Sequence, residues 1–417
     1  MGNKYIDTSW DFKNEDTKIY THCFHNYPAM MIPQVAGRLI EKYSGNSKLL
    51  FDPYCGTGTS LVEANLRNII AVGTDLNPLA RLIAKVKTTL LNIKTLDLYL
   101  KDFNDFIFGY RFGIKSKLLA EVPDFPNIDF WFSSAVQLKL AIIKKYIENM
   151  DDLPIQNFFK VAFSETVREC SWTRNSEFKL LRMPPKQIKG FDPDVLGIME
   201  FKLSRNRNGL VSYLKTKKDH TASTKIYSFN TVESIPEKIL PEDSVDLVVT
   251  SPPYGDSRTT VAYGQFSRLA NQWLSFENAS NVDKELMGGK SAQNDHHFDV
   301  GILDETIERI GNEDEKRSKD VTAFFNDYER SIKNIAKVIR HQGHICYVVG
   351  NRRVKNVTIP TDEITKKLFA KYGFRHRKTI MRNIPNKRMP LENSPSNIIG
   401  EKSPTMKNEY IVICQKP

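Results

Sequence analysis

Lys48–Ser60 reads KLLFDPYCGTGTS, a short apolar run that ends in an acid and then a glycine-rich turn. The residues that follow, SLVEANLRN (Ser60–Asn68), carry helical spacing. Strand, tight turn and helix in that order form the first half of a nucleotide-binding α/β unit. A second strand is expected at Ile69–Thr74 (IIAVGT), closing on Asp75. The acid after this second strand is where such folds hold ribose hydroxyls. The turn carries no Lys after its second glycine and lacks GxGxxG spacing. It is therefore neither a phosphate-gripping P-loop nor a dinucleotide site, and a ligand with a ribose but no pyrophosphate suits it better.

Outward from this unit the alternation breaks. Residues 86–224 read as mostly helical and irregular, with helices expected near Ser134–Asn149 and Ile155–Cys170. The α/β pattern resumes at KIYSF (Lys225–Phe229) and SVDLVVT (Ser244–Thr250), the latter stopping at Ser251-Pro252-Pro253-Tyr254. Proline cannot continue a central strand, so that strand must end and present its tip. Residues 255–320 form a second polar excursion. A helix (Val321–Arg340), a strand (His344–Val349), a helix (Thr361–Tyr372) and a strand pair (Arg377–Ile384, Glu409–Gln415) complete an expected sheet of about seven strands. The chain divides accordingly into a first sheet half (1–85), a helical insertion (86–224) and a second sheet half (225–417).

Composition bounds the function. The chain has 417 residues, 40% hydrophobic and 26% charged, enough for a sizeable core. Lys plus Arg exceeds Asp plus Glu by 60 to 49, a net +11 that makes a polyanionic partner plausible without defining one. The five cysteines (Cys23, Cys55, Cys170, Cys346, Cys414) are scattered without a CxxC pair, which argues against a disulfide framework or zinc site and fits a reducing cytoplasm. No apolar run approaches the roughly 18 residues that a membrane span needs. The polar start MGNKYIDTSW gives neither a signal peptide nor a myristoylation site, since position 6 is Ile.

FDPYCGTGTS followed by GTDLNP and then TSPPY resembles the amino-methyltransferases that act on DNA with S-adenosylmethionine, and the SPPY spelling is most similar to their cytosine-N4 branch. Upstream, FHNYPAMMIP (Phe24–Pro33) resembles the family motif beside the methionine end of the cofactor. The resemblance covers roughly 20–85 and 225–417 and leaves most of 86–224 aside. It implies a Rossmann-like, seven-stranded α/β methyltransferase sheet with a mainly helical inserted domain. It also implies methyl transfer to an exocyclic base amine in duplex DNA, in a restriction-modification or related system. Such enzymes often accompany a restriction endonuclease; nothing in this chain shows a nuclease site.

The resemblance distributes roles. Tyr27, Pro28, Phe51, Asp52, Pro53, Gly56, Thr57, Gly58, Thr59, Asp75 and Asn77 are expected to hold the cofactor, Asp52 towards its amino-acid end and Asp75 at its ribose. Small residues there let the backbone approach closely. Asn230 stands where the family often sets an Asp against adenine, and an amide can both donate and accept. The catalytic residues are Ser251, Pro252, Pro253 and Tyr254. An exocyclic amine is a poor nucleophile because its lone pair is delocalised into the ring. Acceptors for its protons localise that pair and aim it at the sulfonium methyl. The Ser251 hydroxyl and the Pro252 carbonyl suit that role, with proline fixing φ, and Tyr254 offers a ring to a base swung out of the duplex. Methylation at cytosine carbon 5 is excluded, because it needs a Pro-Cys nucleophile and no cysteine here follows a proline. Cys55 is a small packing residue.

Two acid-free stretches stand out: Lys202–Lys218 with six Lys or Arg, and Lys366–Arg388 with nine. Each is a candidate for backbone phosphates or a solvated face. In Val167–Leu180, Arg168, Trp172, Arg174 and Asn175 offer groups for base edges, while Trp172 is equally a core candidate. Gly255–Arg268 follows the catalytic tip and borders the expected base pocket. His296-His297, between Asp295 and Asp299, lacks a further ligand cluster, and methyl transfer from a sulfonium needs no metal. Three alternatives stay open: adenine N6 as the target, an RNA substrate, and a DNA-binding protein that has lost transfer.

Overall fold

The computed structural model describes residues 4–113, 120–175, 177–217, 221–256, 261–290, 296–384, 392–393, 403–404 and 406–417. Eight strands form one sheet: β1 (Lys4–Ile6), β2 (Leu49–Asp52), β3 (Ile70–Thr74), β4 (Thr224–Tyr227), β5 (Val245–Thr250), β6 (Ile339–Val349), β7 (Arg375–Asn383) and β8 (Asn408–Gln415). Their order across the sheet is β1-β7-β8-β6-β5-β2-β3-β4. All neighbours are parallel except β8, which runs antiparallel to both β6 and β7. Seven of the eight are the expected strands. The eighth, β1, pairs with β7 through Lys4, Tyr5 and Ile6 and escaped the sequence because three exposed residues carry no readable pattern.

Apolar strand runs arise because helices cover both faces. Along β2, β3 and β5, alternate residues enter opposite cores. Leu50, Ala71 and Leu247 join Trp10, Val35, Leu39 and Leu61 on one side. Phe51, Val72 and Val248 join Phe324, Tyr328 and Phe369 on the other. The chain leaves β2 outwards to β3 and β4, then returns across β2 to β5 and β6. The order therefore reverses between β2 and β5, and a ligand of such a sheet sits beyond the carboxyl ends of strands at that reversal.

The crossover between β3 and β4 carries most of the helical mass. Helix α1 (Pro78–Thr88) is capped by Asn77, whose side chain accepts from the Leu79 amide, with Pro78 at its first position. Helices α2 (Ile93–Arg111), α3 (Ser134–Glu148), α4 (Leu153–Cys170) and α5 (Val195–Lys217) follow. They share one core with α1, with Phe24 and Tyr27, and with helix α6 (Tyr263–Trp273) from beyond β5. The 255–320 excursion is thus helical over much of its described length, including 301–313. Among the described residues no helix is long and apolar enough to cross a membrane.

Both acid-free stretches look different in space. Lys202, Asn206, Gly209, Leu210, Tyr213 and Lys217 form the buried face of α5, three or four residues apart. The Lys202 ammonium lies between Glu165 (3.5 Å) and Glu169 (2.5 Å), Arg205 pairs with Glu165 at 2.6 Å, and Arg207 with Asp97 at 2.8 Å. A side chain at Gly209 would strike the Tyr20 carbonyl at 2.4 Å, so α5 packs directly against the 20–24 turn. In the second stretch Lys366 pairs with Glu363, Lys371 with Glu329 and Arg382 with Glu409. Part of each run is thus engaged within the protein: Lys202, Arg205 and Arg207 in the first and Lys366, Lys371 and Arg382 in the second have acid partners from outside the run. Lys218 and residues 385–388 lie outside the described residues.

Candidate active site

A cavity opens at the carboxyl ends of β2, β3 and β5, where the sheet order reverses. The glycine turn forms its floor. Gly56 and Gly58 have φ of +48° and +80°, a region that favours glycine, and Gly58 begins the helix Thr59–Leu66. A Cβ at Gly58 would come within 3.0 Å of the Ala84 Cβ on α1. At Gly56 a Cβ would meet no protein atom within 4 Å, because the residue faces the open cavity. The turn is fixed from β3: the Cys55 amide donates to the Thr74 carbonyl (3.0 Å), and the Gly56 amide donates to Asp75 Oδ2 (3.0 Å).

Asp52 is almost fully buried at the tip of β2. It accepts from the Thr250 hydroxyl at 2.5 Å, from the Tyr54 amide at 3.1 Å and from the Ser60 hydroxyl. Burial pushes its pKa up to about 6, against the pull of those donors. The expected role at the cofactor's amino-acid end thus falls on a carboxylate already engaged by the protein. Asp75 is half-buried and borders the cavity. Burial raises its pKa, opposed by the Asn77 and Gly56 amides and by Arg81. Arg81 donates to the Asp75 backbone carbonyl, not to its carboxylate.

Tyr27, Pro28, Pro53, Thr57, Thr59, Asn77 and Asn230 also border the cavity. Asn77 donates to the Tyr27 hydroxyl at 2.8 Å and to Ser267 at 2.9 Å, locking the FHNYP segment against α1 and α6. The Asn230 side chain accepts from the Val232 amide at 3.0 Å and so shapes its own turn. Phe51 lies beneath the wall, fully buried with its ring 6.3 Å from that of Phe229. Sequence reasoning did not assign several wall residues, among them Phe229, Val232, Tyr263 and Met287. Phe229 and Val232 flank Asn230 and were readable from that proximity. Tyr263 and Met287 belong to the excursion after β5; Tyr263 falls in the Gly255–Arg268 segment expected near the pocket, and Met287 had no signal. The Tyr263 ring stacks on Tyr27, 6.0 Å between centroids and 14° between planes.

Ser251 and Pro253 border the cavity from β5. Ser251 Oγ lies 3.1 Å from the Val348 carbonyl and 3.2 Å from the Tyr254 hydroxyl. The Tyr254 hydroxyl donates to Glu409 at 3.1 Å, and Glu409 is held by Arg382. Pro252 is buried behind the turn. Asp256, fully buried, pairs with Arg352 at 3.2 Å and with Arg317 at 3.8 Å, anchoring the end of the SPPYGD run. Residues 257–260, part of the segment expected at the base pocket, lie outside the described residues.

One further expectation changes. Arg168 is buried, donating to the carbonyls of Phe266 (3.1 Å) and Glu177 (2.7 Å), so it cannot reach a base. His297 lies 3.5 Å from Asp299 and 3.4 Å from Asp304, and among the described residues no group of three His, Cys, Asp or Glu side chains is placed to hold a metal.

The residues present suit S-adenosylmethionine. A glycine cradle open to the cavity admits a ligand close to the backbone, a carboxylate at Asp75 can accept from a diol, and Phe229, Val232 and Met287 offer an apolar wall to a purine. Comparison with known proteins agrees. Residues 245–417 match the model of the N6/N4 DNA methylase family. The chain is 39% identical over 432 residues to the Type II methyltransferase M.MvaI of Kocuria varians, covering 99% of this chain and 93% of the relative. It is 30% identical over 97 residues to the Type II methyltransferase M.MjaII of Methanocaldococcus jannaschii, covering 23% and 18%. Among solved structures, the rRNA methyltransferase aviRa of Streptomyces viridochromogenes aligns over 94% of this chain and 89% of that one at 11% identity, with a TM-score of 0.35 that carries no argument. The whole-length likeness and the family match over residues 245–417 agree: this chain belongs to the DNA amino-methyltransferase family, whose methyl donor is S-adenosylmethionine.

Proposed function

We propose that the chain methylates the N4 amine of cytosine within a specific duplex sequence, in a restriction-modification or related system. The observation that carries this reading is the hydrogen-bond order at Ser251. The Tyr254 proton is directed to Glu409, so Ser251 faces two acceptors, the Val348 carbonyl and the Tyr254 oxygen. Its single proton goes to one of them. A lone pair of the Ser251 oxygen is left for a donor in the cavity, and an exocyclic amine is such a donor.

The bound cofactor supplies an electrophilic methyl group on a sulfonium. The chain's own residues do the rest. Asp75 accepts from the ribose, and Phe229, Val232 and Met287 sandwich the purine. Ser251 and the Pro252 carbonyl accept the two amine protons of the target, localising the nitrogen lone pair before attack. The buried Asp52–Thr250 contact holds the cofactor turn and the SPPY tip in one register. Tyr254 offers its ring to the displaced base while its hydroxyl stays on Glu409. The helices of 86–224 are the proposed site of target recognition, with 255–320 as the competing location. The SPPY spelling favours cytosine over adenine.

The deciding experiment incubates the chain with unmethylated duplex DNA and the labelled donor, digests the product to nucleosides and identifies them by mass. N4-methylcytosine is expected. N6-methyladenine without N4-methylcytosine overturns the choice of base, and transfer to tRNA but not duplex DNA overturns the substrate.

A further inference from the structure

A second cavity lies beside the first, on the other side of α6. The two share that helix: Tyr263 walls the cofactor cavity, while Arg268 and Gln272 line the second. The axial rise of an α-helix puts Arg268 about 7.5 Å and Gln272 about 13 Å further along than Tyr263.

The facing wall is aromatic and comes from the helical insertion. Phe130 is 46% exposed and Trp131 packs edge-on against it, ring centroids 4.9 Å apart. These rings are held in place. Arg182 lies 4.2 Å over the Phe130 ring and donates to the Phe130 carbonyl at 2.9 Å. The Trp172 amide donates to the Trp131 carbonyl at 2.8 Å. The Leu180 amide donates to Gln265 on α6 at 3.2 Å, closing the rim. An exposed ring so firmly anchored is a surface for stacking, not a fluctuating core residue.

The polar wall holds one unsatisfied donor. Arg268 Nε is buried and meets no hydrogen-bond partner among the described residues. The half-exposed Arg268 side chain lines this cavity and offers its fork of N–H donors to an acceptor there. Arg268 also lies near the Asp283 carboxylate, which offsets its charge without satisfying Nε.

We infer that this second cavity captures a nucleobase next to the methylated one, stacked on Phe130 and read at its edge by Arg268, with Gln272 as the second polar contact. A planar fork of N–H donors selects a base edge with two acceptors side by side, which guanine presents and cytosine does not. Sequence discrimination at that one position therefore resides in α6 and the 130–131 turn. The inference rests on the reading of the chain as a duplex DNA methyltransferase.

The test uses the full chain with a library of duplexes randomised around the modified base, read by base-resolution methylation mapping. Arg268→Ala is expected to keep donor binding, measured by calorimetry. It should lower discrimination at one flanking position by about tenfold or more. Phe130→Ala should weaken the same position, and Arg268→Lys should not restore it. A uniform fall across all sequences with a shallower salt dependence assigns Arg268 to a phosphate and overturns the inference. Unchanged discrimination in all three variants also overturns it. Should Arg268→Ala lose donor binding, Gln272→Ala and Phe130→Ala decide. Failure of the wild-type chain to methylate any duplex refutes the underlying reading instead, so the two failures are distinct.

Discussion

The Thr250 hydroxyl donates to Asp52 across 2.5 Å in the buried seam between β5 and β2, one residue before the SPPY tip. Cofactor turn and catalytic tip are thus joined by a single side-chain contact, and loosening it should disturb both. Thr250→Val keeps the shape and removes the donor. Unfolding free energy should fall by about 1.5–3 kcal/mol, the range for a lost bond to a charged or buried acceptor. Donor affinity and turnover should fall together, which calorimetry and a methyl-transfer assay would register. A turnover loss with unchanged affinity would show that the seam does not couple the two.

Ser251→Ala removes the proposed acceptor and leaves the glycine turn untouched. The transfer rate at saturating substrates should drop about 10²-fold, the scale of losing one positioned polar group. The donor dissociation constant should stay within about twofold. Single-turnover kinetics with pre-bound duplex separates this from a binding defect.

Gly58 combines φ of +80° with an approach to Ala84, so even alanine is doubly disfavoured there. Gly58→Ala should cost about 1–3 kcal/mol of stability and weaken the donor at least tenfold. Gly56→Ala has room for its Cβ but projects it into the cavity. It should weaken the donor with a smaller loss of stability, readable by comparing the two variants in thermal melts and calorimetry.

Asp256 is fully buried against Arg352. Arg352→Met leaves that carboxylate with Arg317 at 3.8 Å as its remaining named cation. Breaking one side of a buried pair costs roughly 3–5 kcal/mol. Part of that loss should return in Arg352→Met with Asp256→Asn, since the second change removes the carboxylate whose compensation was reduced. Denaturant titration of the two variants checks the order.

His25 is buried between aromatic rings with neither ring nitrogen bonded among the described residues, and burial lowers its pKa to about 4. An unfolded histidine titrates near 6.5. The stability tied to the neutral ring is therefore complete above about 6.5 and is lost as pH falls towards 4. The size is on the order of 2–3 kcal/mol. His25→Phe should remove that acid-side slope, so the difference in unfolding free energy between variant and wild type should grow from pH 7 to pH 4.5. An equal slope in both proteins would refute the assignment.

The sequence by itself determined the framework. Alternating apolar runs set most of the strands, and FDPYCGTGTS with TSPPY marked the two strand ends that meet in the cavity. Local chemistry was enough there, because glycine, proline and strand-terminal acids act on their own backbone. Only the tertiary structure decided what charges and aromatic rings do, since their partners are distant in sequence. Lys202–Lys218 looked like a phosphate grip until Glu165, Glu169 and Asp97 were seen beside it. Arg168 looked like a base reader until two carbonyls enclosed it. Asp52 borders the cavity with Thr250, Ser60 and Tyr54 already donating to it, partners that no local motif reveals. Tyr263 and Arg268, which wall the two cavities, lie in Gly255–Arg268, a segment marked by its place after SPPY but in which no motif singled out these side chains. Motifs encode backbone geometry locally, whereas the satisfaction of a buried charge or donor is a property of the folded whole.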